Sequence, residues 1–228
     1  MDGGLYFLFI IAAIFSVYAQ SKVNSTFSKY SKVANLRGYT GADVARLLLN
    51  QSGIDNVNVE QVSGKLTDHY DPRTNTIRLS QSVYSSNSIA ALGVAAHETG
   101  HAIQHNKGYL PLEIRSNLFP IVNLGNKLAM PMIIIGFLLY FMNFGIIIAQ
   151  AGIILFSLVV LFQFITLPVE FNASARAINM LQDYGYLTRE EIGPVKKVLS
   201  AAAMTYVAAA AVALLNLLRL ISIANRRR

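Results

Sequence analysis

The chain contains no cysteine, so disulfides, thiolate zinc sites, iron–sulfur clusters and cysteine nucleophiles are all excluded. Any metal ion must be held by His, Asp or Glu. Charge is scarce as well: charged residues make up 14% of the 228 and hydrophobic residues 54%, against roughly 25% charged in ordinary globular proteins. That balance argues against a freely soluble protein. It argues equally against disorder, which goes with few apolar residues and high net charge. The sequence has no G-x-S-x-G for a serine nucleophile and no glycine-rich phosphate loop. It shows no internal repeat and no low-complexity linker. The net charge of +7 comes from 19 Lys and Arg against 12 Asp and Glu. These basic residues are spread thinly beside apolar segments, and only Arg226, Arg227 and Arg228 form a run. Such a pattern fits membrane orientation rather than nucleic-acid binding.

Between Lys127 and Glu170 lie 42 residues without a charge. As one straight helix they would run to roughly 63 Å at 1.5 Å per residue, about twice the hydrocarbon thickness of a bilayer. Two spans therefore fit, near Leu128 to Phe141 and Ile146 to Leu167, with a bend at Tyr140 to Gly145. A hairpin returns the chain to the face it left, so the residues before Lys127 and after Leu167 share one side. Leu5 to Ala19 is a shorter apolar stretch that reads as a signal peptide or as an uncleaved anchor. Asp2 precedes it and Lys22, Lys29, Lys32 and Arg37 follow it, which favours an anchor with the next residues in the cytoplasm. Val198 to Leu218 is a further uncharged segment of spanning length. It either crosses or stays packed in or on the membrane. Residues 20 to 117 hold ten Lys and Arg and residues 170 to 197 four more, against four at the C-terminus, so the bookkeeping favours a cytoplasmic catalytic face.

Residues 21–117 form the one sizeable water-facing region. A helix is expected over Gly41 to Asn50, with Thr40 as N-cap. Val57, Val59 and Val62 alternate as a strand. Lys65 to Tyr70 and Thr76 to Ser80 flank the turn residues Asp71 to Asn75 and read as a hairpin. A buried helix from Ile89 to Gln104, capped by Ser88, follows.

Into that apolar helix the sequence places His97, Glu98 and His101, an H-E-x-x-H pattern. Two imidazoles four residues apart lie on one helical face and can meet a single ion, while the Glu projects beside them as a general base. Random ordering of four His and six Glu would give this pattern in about one chain in 500. The competing reading is a pair of core histidines bonded to backbone, with Glu98 paired to an arginine. Gly100 and Ala96 are small enough for close packing at the site, and Thr76 to Ser80 is a candidate strand for pairing with a substrate backbone. Two imidazoles suit zinc, and a third protein ligand would leave the fourth position open. Glu170, just past Leu167 and Pro168 on the same membrane face, is the candidate, with a salt bridge to Arg176 or an interfacial position as the alternative. Candidate oxyanion donors are His69, Tyr70, His105, Arg176 and Tyr206.

The stretches LTDHYDPRTNTIRLS, AAHETGHAIQH and LPVEFNASARA resemble the YugP-like neutral zinc metallopeptidases of bacterial membranes over nearly the whole chain. The order of parts is also similar to the HtpX and CAAX-prenyl protease group, where two spans separate H-E-x-x-H from a glutamate ligand. The resemblance implies a zinc endopeptidase of gluzincin type, with His97, His101 and Glu170 as ligands and Glu98 as base. HtpX-like enzymes commonly carry an aspartate four residues after that glutamate. Ser174 stands there instead, which leaves support of a histidine to other groups such as Asn172 or Asp183.

The expected protein is a mainly α membrane protein of α+β type. About four transmembrane or membrane-embedded helices accompany a zincin-like catalytic region with a small β-hairpin or sheet. Its parts are an anchor (1–20), the zincin-like region (21–117), a transmembrane hairpin (118–169), a third-ligand region (170–197) and an apolar helix with a basic tail (198–228). The expected partners are a zinc ion, a polypeptide substrate drawn from membrane proteins, and the bilayer, with no nucleic acid. The rival function is a zinc-binding membrane chaperone or assembly factor without proteolysis.

Overall fold

The computed structural model describes residues 3–226. Asp2 and the Arg227–Arg228 pair, used above for orientation, lie outside the described residues. The elements in chain order are α1 (Gly3–Tyr30), α2 (Gly41–Gln51), β1 (Asn58–Val62), β2 (His69–Asp71), β3 (Thr76–Ser80), α3 (Gln81–Tyr84), α4 (Ile89–Asn106), α5 (Leu110–Leu138), α6 (Asn143–Asp183) and α7 (Arg189–Arg226). Four of them, α1, α5, α6 and α7, are long and apolar enough to cross a membrane.

Two compact units divide these elements. The first comprises residues up to Tyr18, Glu113–Leu167 and Thr205 onward. Its core is built from Val122, Ala129, Ile133, Ile153, Phe156, Val159, Val160 and Leu220. Lipid tails are as apolar as these side chains, so helices associate there through close packing, which small residues permit. Gly136 and Gly152 do this for α5 and α6: a Cβ on Gly136 would collide with the Ala149 backbone, and one on Gly152 would stand 2.9 Å from the Ala129 carbonyl oxygen. Toward the end of α7 the Arg219 guanidinium lies over the Phe9 ring, 4.7 Å from its centroid.

The hairpin expected in the uncharged stretch is present, turning between the end of α5 and the start of α6. Its helices are longer than the sequence indicated. The first begins at Leu110, and the second runs unbroken through Pro168 to Asp183. Glu170 therefore stands inside this second hairpin helix itself rather than on a separate one.

The second unit comprises Ala19–Leu112 and Pro168–Met204. Chain from before and after the hairpin thus belongs to one body. Thr40 caps α2 through a capping box with Asp43, and the Ser88 hydroxyl accepts from Ala91 N–H at the start of α4; both close amides that a helix start leaves open. The sheet has the order β1-β3-β2. Its β2–β3 pair is the expected antiparallel hairpin, with Asn75 in the left-handed region that such a turn demands (φ 47°). Strand β1 runs parallel to β3 on the other side. Thr76 to Ser80 is therefore the central strand, paired on both sides, and cannot receive a substrate backbone. The edge available beside α4 is β2. Helices α2, α4, α6 and α7 pack around Val44, Leu48, Leu92, Ala96, Ala177, Leu181 and Val195.

Candidate metal centre

Helix α4 carries His97, Glu98 and His101, and α6 carries Glu170. What brings the two helices together is the glycine inside the motif. A Cβ on Gly100 would stand 2.8 Å from the Ala173 carbonyl oxygen, so only the missing side chain lets the α6 backbone lie directly against this turn of α4. Glu170 is one turn earlier on α6 than Ala173 and Ser174, which puts its carboxylate opposite the two imidazoles. Its Oε2 is 3.2 Å from His97 Nε2 and 3.5 Å from His101 Nε2, and Glu170 is 2% exposed.

These separations fit a metal ion. Donors bound to zinc at about 2.0–2.1 Å in tetrahedral geometry lie roughly 3.3 Å apart, close to the two separations between Glu170 and the histidines. One donor atom from each of the three residues lies within 4.8 Å of the others. All three are of the nitrogen and oxygen types that zinc accepts.

The groups behind the histidines fix which nitrogen faces Glu170. Arg176 is a donor only, and its Nε donates to Asn172 Oδ1 (2.7 Å). That oxygen also receives the Gln104 Nε2 amide (2.9 Å), whose second hydrogen goes to the Val169 carbonyl (2.8 Å). The Gln104 Oε1 is then left to accept, and it lies 3.0 Å from His101 Nδ1. His101 must therefore carry its proton on Nδ1, leaving the Nε2 lone pair toward Glu170 and available to a cation. His97 Nδ1 lies 3.1 Å from the Ser174 hydroxyl, so its Nε2 likewise faces inward.

Two of these supporting residues escaped the sequence reading. Gln104, fully buried, is three residues after His101, the spacing of one helical face. Ser174, where the aspartate of the HtpX-like pattern would stand, does bond a histidine, through a neutral hydroxyl. Asn172 serves as second support by way of Gln104, whereas Asp183 lies exposed at the end of α6.

Glu98 is 8% exposed. Burial pushes its carboxyl up to about 7; the charges of Glu170 and Asp68 push the same way, while His97 and His69 oppose. Asp68 is another residue that motif reading missed. It is half-buried just before β2 and accepts from both Ser80 N–H (2.7 Å) and the Ser80 hydroxyl (3.1 Å), with burial raising its pKa.

The candidate oxyanion donors divide. His69 is exposed on β2, its Nδ1 2.8 Å from the Thr67 carbonyl. The Tyr70 hydroxyl lies 2.8 Å from His105 Nδ1, tying β2 to α4, and burial followed by the Asp71 charge lifts the Tyr70 phenol to about 12. Arg176 Nε is engaged with Asn172. Tyr206 belongs to the first unit, whereas every residue of the cluster belongs to the second.

The class this arrangement points to is the one that comparison finds. The pattern of the family described as "Putative neutral zinc metallopeptidase" matches residues 5–225, and the chain belongs to that family. It is 50% identical over 217 residues, 95% of each chain, to the "Putative membrane protease YugP" of Bacillus subtilis (strain 168). No solved structure matches the chain.

Proposed function

We propose that the protein is a multi-pass membrane zinc endopeptidase of gluzincin type whose catalytic unit faces the cytoplasm. His97, His101 and Glu170 hold the ion and Glu98 acts as general base. The reading rests on one observation above the others: two imidazole Nε2 atoms lie 3.2 and 3.5 Å from one buried carboxylate oxygen, with hydrogen-bond partners behind both rings. Family membership, and a relative named a membrane protease, support it.

Zinc, when bound, supplies Lewis acidity, lowering the pKa of a coordinated water toward 7 and polarising a carbonyl. The chain's own residues do the rest. Glu98, on the helix turn that carries both ligands, takes a proton from the attacking water and delivers it to the leaving amine. Its burial tunes it for that exchange, because a carboxyl near 7 both accepts and releases a proton at neutral pH. Gln104 and Ser174 orient the imidazoles. The open edge of β2 pairs with an extended substrate backbone. Substrates are membrane proteins or their exposed ends.

Glu98→Gln tests this directly. It removes the base while leaving all three ligands, so peptide cleavage should fall by 10²-fold or more with about one zinc retained per chain. Cleavage at the wild-type rate would sink the assignment, and unchanged biological activity in cells without cleavage would favour the chaperone reading.

A further inference from the structure

Away from the metal centre, the second unit contains an open groove of about 510 Å³ between α1 and α7. Lys22, Ser25, Thr26 and Lys29 line it from α1; Lys197, Ser200, Ala201 and Met204 line it from α7. Each set repeats at i, i+3, i+4 and i+7, the spacing of one helical stripe. Two complementary stripes therefore face a shared concavity. Three lysines and three residues with aliphatic hydroxyls line it, and no acidic side chain does. Tyr30 completes the wall, with Lys29 Nζ 5.4 Å from its ring centroid.

The position along the chain gives the groove its meaning. Lys22 is the first charge after the uncharged run of α1, and Lys197 is the last before the uncharged run of α7. In sequence, the second unit begins at Ala19 on α1 and ends at Met204 on α7. Where an apolar helix first becomes charged is where lipid phosphates lie, and long basic side chains reach toward that level. Lysines placed only for orientation would point outward, each alone; these three share one cleft with hydroxyl donors and with Ala201 and Met204 as an apolar floor.

We propose that this groove binds an anionic phospholipid, its phosphate among Lys22, Lys29 and Lys197 and an acyl chain against Ala201 and Met204. The site is separate from the metal centre and does not depend on the hydrolase reading. A bound lipid would clamp α1, the first helix, to α7, whose start packs into the core around α4 through Val195 and Leu199.

The test uses the full-length protein in phosphatidylcholine nanodiscs with and without phosphatidylglycerol, with bound lipid counted by native mass spectrometry. Wild type should retain phosphatidylglycerol in preference to phosphatidylcholine. The triple variant Lys22→Gln, Lys29→Gln, Lys197→Gln should weaken that retention by about tenfold or more, from the contribution of each basic residue near an anionic surface. Ser200→Phe, an exposed position, should block retention without changing charge, and it keeps the test alive if the triple variant misfolds. A control triple of equal charge change at exposed positions outside the groove, Lys32→Gln, Lys65→Gln, Lys107→Gln, should retain lipid like wild type. Equal loss in both triples would overturn the proposal, as would retention unaffected by Ser200→Phe. Displacement of the lipid by an equal concentration of inorganic phosphate would show a free-anion site and overturn it too.

Discussion

Replacing Gln104 by Leu keeps the side-chain volume but deletes the link between Arg176–Asn172 and His101. Three groups lose a partner at once: His101 Nδ1–H, the Val169 carbonyl and Asn172 Oδ1. Each buried group left unsatisfied costs about 1–3 kcal/mol; Asn172 keeps Arg176 and the Val169 carbonyl keeps its partner within α6, so the penalty falls mainly on His101 Nδ1–H. Free of its acceptor, His101 can rotate or move its proton to Nε2, the atom that faces the ion. Loss of such a partner weakens metal affinity by about 10- to 100-fold. Competition with a chromophoric chelator reads that change, and thermal unfolding of the metal-free protein reads the structural cost separately. Gln104→Glu divides the two roles. Its carboxylate still accepts from His101 Nδ1–H, so zinc affinity should recover toward wild type, but it cannot donate to Val169 or Asn172, so stability should stay reduced. Wild-type zinc affinity in Gln104→Leu would refute the reasoning about how His101 is oriented.

Gly100→Ala should destabilise the protein by about 1–3 kcal/mol, because the new methyl meets helix backbone that cannot yield cheaply; a melting temperature at or above wild type would contradict the close approach of α4 and α6. The pH profile of cleavage follows from the sign of the Glu98 shift. The base works ionised, burial raises its pKa to about 7 and a bound cation lowers it, so activity should rise with pH along a limb at or below about 7 and fall in acid. A profile flat down to pH 5 would argue against Glu98 as the base.

Much of this was legible in the chain because the residues concerned act locally. The H-E-x-x-H turn, the caps at Thr40 and Ser88 and the strand–turn–strand at His69 to Ser80 are each settled within a few positions. Glu170 was singled out by its position, since a carboxylate just past a long apolar segment and with no neighbouring base in sequence calls for a cation. What sequence could not supply were relations across the fold. Thr76 to Ser80 reads as an ordinary hairpin strand until β1 returns to pair in parallel on its far side. Gln104 and Asp68 have no motif; one is important because α6 happens to offer Val169 and Asn172, the other because Ser80 folds back on it. The unbroken passage of α6 through Pro168 was hidden as well, because a proline ordinarily marks a helix end and here lies within one.

The central claim, that two helices close on one ion, is tested most directly by X-ray absorption at the zinc edge on metal-loaded protein, for wild type and Glu170→Ala. The wild-type spectrum should fit two imidazoles plus oxygen donors at about 2.0–2.1 Å, and the variant should lose zinc on dialysis or show a shell altered in its oxygen donors. A variant that retains zinc with an unchanged spectrum, or a wild-type shell without two imidazoles, would contradict the account.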